Sequence, residues 1–90
     1  MQALESTSPW NVRAAALTLI AKRISHTEDF DLVRDLVRRE LVEGKKVAVL
    51  VAALGASRLG RKELAKEIDF LTGHAEAAVV KAAMDVKHQQ

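Results

Sequence analysis

The chain contains no cysteine and no tyrosine, a single proline, and only three aromatic residues, Trp10, Phe30 and Phe70. Without cysteine there can be no disulfide, no thiolate metal site and no thiol nucleophile. Small secreted domains often lean on disulfides, so this absence points to the cytoplasm. With so few aromatics the core must be built from Leu, Ile, Val and Ala, and alanine buries little area. A chain of 90 residues hides about 60–65% of its unfolded surface, a thin margin. Self-association would widen that margin.

Long apolar runs are also missing. The longest, Val47 to Ala56, is about half of what a bilayer span requires, so no membrane role is expected. Residues 1–8 show no basic stretch followed by an apolar segment, and they read as a flexible lead rather than a signal peptide. Residues 9–88 then form one helical domain. The net charge of +2 is mild and does not by itself imply nucleic acid. A hydrophobic content of 49% excludes a fully disordered chain.

What is present is helical periodicity. Ser8-Pro9 reads as a helix start, with proline at the first helical position. Trp10, Ala14, Leu17, Ala21 and Ile24 then recur at 3-4 spacing, widened by Val12, Ala16 and Ile20, which predicts a first helix over 9–24. Arg13 falls away from that seam. Ser25 with Glu28 has capping-box spacing, and Thr27 is an alternative cap. Acids at 28, 29 and 31 suit the positive end of the helix dipole. Phe30, Val33, Val37 and Leu41 predict one continuous second helix over 27–44, closed by Gly44. Asp35–Arg39 and Arg39–Glu43 have i,i+4 spacing on its outer side.

The apolar run over 47–56, within a helix predicted over about 46–56, has no periodicity to read. Its alanines favour a central buried helix, with a strand at 47–51 as the alternative. Nothing else in the chain offers that strand a partner. A fourth helix is predicted over 61–71, with Leu64, Ala65, Ile68 and Leu71 inward. A fifth follows over 74–87, with Ala75, Val79, Ala82 and Val86 inward. The expected fold is all-α: a compact bundle of four to five short helices around a buried central one.

Charge is unevenly placed. The segment 45–62 carries Lys45, Lys46, Arg58, Arg61 and Lys62 with no acid, after an acid-rich helix. Lys45 and Lys46 open the third predicted helix, and Arg61 and Lys62 the fourth. Cations there oppose the helix dipole, and a bound anion would relieve them. This makes Ser57, Arg58, Gly60, Arg61 and Lys62 one candidate anion site and Lys45 with Lys46 a second.

Glu63-Leu64-Ala65-Lys66-Glu67-Ile68 resembles the opening helix of helix-turn-helix motifs. The resemblance implies a DNA-binding segment over 61–87, with Lys45, Lys46, Arg58, Arg61, Lys62 and Lys66 on phosphate. Asp69 stands where the tight turn usually has glycine, and Gly73 comes four residues late. The would-be recognition helix balances Glu76 and Asp85 against Lys81 and Lys87, which is poor material for base reading.

No catalytic constellation emerges. Gly55-Ala56-Ser57-Arg58-Leu59-Gly60 has the wrong spacing for a nucleophile elbow and lacks a phosphate loop's ending. His26, His74 and His88 share no ligand spacing. No enzyme activity, cofactor or small-molecule substrate is therefore expected.

The first and fifth predicted helices carry more apolar surface than a small core can hide, with Trp10, Leu17, Val80 and Met84 as interface candidates. The leading expectation is a non-enzymatic protein-binding or regulatory module that self-associates through those helices. The alternative is a small DNA-binding protein using the basic 45–66 segment.

Overall fold

A computed structural model describes residues 9–88. The lead over residues 1–8, including the Ser8 start signal, lies outside the described residues. Six helices follow in order: α1 (Trp10–Arg23), α2 (Thr27–Asp31), α3 (Arg34–Glu43), α4 (Val47–Ala56), α5 (Ala65–Leu71) and α6 (Ala77–Lys87), with a 3-10 turn at Arg58–Gly60 between α4 and α5. No strand occurs among the described residues.

The 47–51 segment is helical, because a lone strand would leave its backbone groups without partners. α4 is the centre of the bundle. Val49, Leu50, Ala53, Leu54 and Ala56 are all buried, and α4 packs against α1 most extensively, then α6 and α3. α1 contributes Ala16, Leu17, Ile20 and the following Ile24 to the core, α5 contributes Ile68 and Leu71, and α6 contributes Val79, Ala83 and Val86. The molecule measures 30 × 29 × 18 Å. Its short dimension holds two helix layers at about 10 Å each, so many side chains face outward.

Several local expectations are corrected. Pro9 is the N-cap of α1 with extended backbone (ψ 149°), and Trp10 is the first helical residue. α2 is capped by His26, and neither Ser25 nor Thr27 supplies a side-chain cap; Thr27 is already helical. The second predicted helix is broken at Leu32–Val33. Leu32 N–H bonds the Asp29 carbonyl and Val33 N–H the Phe30 carbonyl, both tight four-residue turns. Val33 then leaves helical geometry at φ −119°, ψ 0° before α3 begins.

The break serves packing. It lets α2 lie against the Arg58–Gly60 turn while α3 reaches α4 and α5. Phe30 is fully buried, and Gly60 approaches its ring so closely that a Cβ at residue 60 would overlap ring carbons. Gly44 does follow α3, but in extended backbone (φ −63°, ψ 130°) and not in the left-handed region. Its small size is what matters, because a Cβ there would press on the Glu40 carbonyl and stand 3.2 Å from Leu50 Cδ2.

α5 begins at Ala65, not 61, since residues 61–64 form turns after the 3-10 segment. Arg61 and Lys62 therefore do not open a helix, and the dipole argument for an anion there loses its basis. Ala65 is exposed, while Leu64 takes a place in the core. α6 begins at Ala77, Ala75 is exposed, and Ala83 rather than Ala82 is the fully buried alanine.

Charged side chains tie the helices together. Arg13 is not on a solvent face: its Nε meets Glu40 Oε2 at 2.9 Å, with side chains 17% and 3% exposed, joining α1 to α3. Arg38 joins α3 to α5 through Glu67 at 3.3 Å and the Glu63 carbonyl at 3.1 Å. Asp35 reaches Arg34 and Arg38 at 3.8 and 3.9 Å, exposed pairs worth about 0–1 kcal/mol. Lys87 meets Asp69 at 2.9 Å, linking α6 to α5.

Candidate protein-binding surface

The six cations that stand together in sequence line no single common cleft. Lys45 and Lys46 border a cleft of about 350 Å³ with Trp10, Arg13, Glu40 and Glu43. Two carboxylates share that cleft, which makes it mixed in sign. Lys46 Nζ sits 5.9 Å from the Trp10 ring centroid, within cation–π range. Arg58 is a structural clasp: its Nη2 donates to the Ala21 carbonyl at 3.1 Å and the Ile24 carbonyl at 2.8 Å. These carbonyls belong to the end of α1, the negative pole of that helix. Ser57 is buried, and its hydroxyl donates to the Leu54 carbonyl at 2.6 Å.

Arg61 and Lys62 border a smaller cleft with Lys87 and its partner Asp69. Lys66 stands elsewhere again, beside Val42 and Phe70. A phosphate backbone is bound best by cations arrayed along one track. No one cleft gathers these six.

Apolar surface is gathered instead. A groove of about 580 Å³ runs between α1 and the α2–α3 corner, lined by Ala16, Leu19, Ile20, Ile24 and Val33 together with Arg23 and Asp29. That volume falls in the range of binding clefts. Leu19 is 55% exposed and Leu32, at the corner, 83%. A second apolar surface lies where α3 meets α5. Val42 and Phe70, 67% and 79% exposed, stand beside Leu41, Lys66 and Glu67.

The four interface residues expected from the sequence fare unequally. Leu17 is fully buried in the core and is not available to a partner. Val80 is half-buried. Trp10 and Met84 are at the surface, 46% and 41% exposed. Leu19, Leu32, Val42 and Phe70 were missed. Leu19, Val42 and Phe70 lie off the seam that their own helices bury, and Leu32 stands in the break between α2 and α3. Large apolar residues out of phase with the seam were the available signal.

No helix among the described residues is long and apolar enough to cross a membrane. No protein family, curated protein or solved structure matches the chain.

Proposed function

We propose that this chain is a small, non-enzymatic helical module that binds protein, including a second copy of itself, in a regulatory or assembly role. One observation carries the reading. Of only three aromatic residues, Phe70 is 79% exposed and Trp10 46%, leaving Phe30 alone to the core. A thin domain gains more from burying an aromatic than from exposing it. Aromatic side chains are also the residues most enriched at protein interfaces. Leu19 is exposed at the groove beside α1 and Leu32 at its adjoining corner, and Val42 is exposed beside Phe70. The lack of cysteine suits a reducing compartment, and the cytoplasm is the proposed setting.

The test is sedimentation velocity over a wide concentration range, at about 50 mM and about 200 mM salt, beside anisotropy of labelled random duplex DNA. The expected result is a concentration-dependent rise in mass that changes little with salt, and no DNA binding. DNA binding that collapses about tenfold or more between the two salts, with a strictly monomeric protein, would replace this reading by the nucleic-acid one.

A further inference from the structure

We propose that the groove between α1 and the α2–α3 corner receives a second copy of this chain, the two copies being related by a two-fold axis. The inference rests on the self-association proposed above and adds which surface meets which. A two-fold contact requires one patch to be complementary to itself. Here the recess and the projections belong to the same surface. Ala16, Ile20 and Ile24 line the groove, Leu19 in its wall is 55% exposed, and Leu32 at the adjoining corner is 83% exposed. Seated on its copy, Leu19 of each chain enters the groove of the other.

Charge supports the same pairing. Arg23 and Asp29 both border the groove, and neither forms an ion pair among the described residues. A two-fold axis brings Arg23 of each copy to Asp29 of the other, so the contact is neutralised twice. The Val42–Phe70 surface lacks this property. Glu67 there is already held by Arg38 at 3.3 Å, which leaves Lys66 as its unmatched charge. That surface suits a partner of a different sequence.

The experiment is sedimentation velocity of the wild-type chain and four variants, each checked for helical content by circular dichroism. The wild type is expected to dimerise reversibly, and Leu19→Ser to weaken the dimer about tenfold or more. Arg23→Asp weakens it as well, and Arg23→Asp/Asp29→Arg restores it. Phe70→Ser leaves it intact. The charge reversal and its rescue use surface side chains, so they remain decisive if Leu19→Ser does not fold. A dimer indifferent to Leu19→Ser and to Arg23→Asp, or one lost only in Phe70→Ser, overturns the groove pairing while self-association stands. A wild type that stays monomeric throughout overturns both.

Discussion

Gly60 sits against the ring of Phe30 with no room for even one further carbon between them. Phe30 is fully buried, and the contact fixes α2 on the turn that leads from α4 into α5. Gly60→Ala must therefore move the ring or the turn. Overpacking of this kind costs about 1–3 kcal/mol, and overlap with ring carbons puts this case near 3. The expected outcome is a fall in Tm of more than about 10 °C, read by thermal denaturation. A fall of under about 3 °C would show that the ring has somewhere else to go.

Gly55 predicts the opposite sign. It lies in α4, exposed, with nothing within 4 Å of a Cβ built there. A glycine inside a helix gives away about 0.5–1 kcal/mol relative to alanine. Gly55→Ala should raise stability by about that amount, measured as a higher midpoint in urea with an unchanged slope.

The Arg13–Glu40 pair makes a third test. Glu40 is 3% exposed and has Arg13 at 2.9 Å. Arg13→Met leaves the carboxylate buried without this partner, and breaking a buried pair from one side costs about 3–5 kcal/mol. Because Arg13 keeps 17% of its side chain in water, the lower end of that range is expected. Arg13→Met/Glu40→Leu should recover most of the loss, since an apolar replacement of both partners is often neutral. A double-mutant cycle in urea gives the coupling, and additive losses would contradict the pairing.

Arg58 is expected to matter for stability and not for anions. Its guanidinium closes the end of α1 by donating to the Ala21 and Ile24 carbonyls. Arg58→Ala should lower stability by about 1 kcal/mol, the side chain being largely exposed. Hydrogen exchange should quicken in the last turn of α1 in particular. Arg58→Lys keeps the charge but not the planar fork, so it should recover only part of the loss. Full recovery would mean that the dipole contact, not the hydrogen bonds, carries the effect.

The long helices were legible because their patterns were strong. The 3-4 seam around Leu17 gave α1, and the run of alanines gave α4 its place at the centre. The break at Leu32–Val33 left no trace, since neither residue is glycine or proline. The Phe30, Val33, Val37 and Leu41 pattern continues straight through it. The contact that the break accommodates lies elsewhere in the chain, where Gly60 leaves room for the Phe30 ring. The start of α5 was misplaced for a related reason: residues 61–64 keep helix-like spacing while folding as turns. At the surface, runs of basic residues in sequence suggested a common site. The turn after α4 sends Arg58 back to α1 and Arg61 toward Lys87, which composition alone does not foretell.

α4 has no charged side chain along its ten residues, and it is covered by helices from both sides of the chain. α1 is already made when α4 leaves the ribosome and can dock at once. The flank that belongs to Val79, Ala83 and Val86 stays bare until α6 has emerged. The nascent chain thus passes through an interval in which its greasiest helix is only half clothed. Chains stalled or clipped before residue 77 would keep that flank open, a surface that chaperones and proteases recognise.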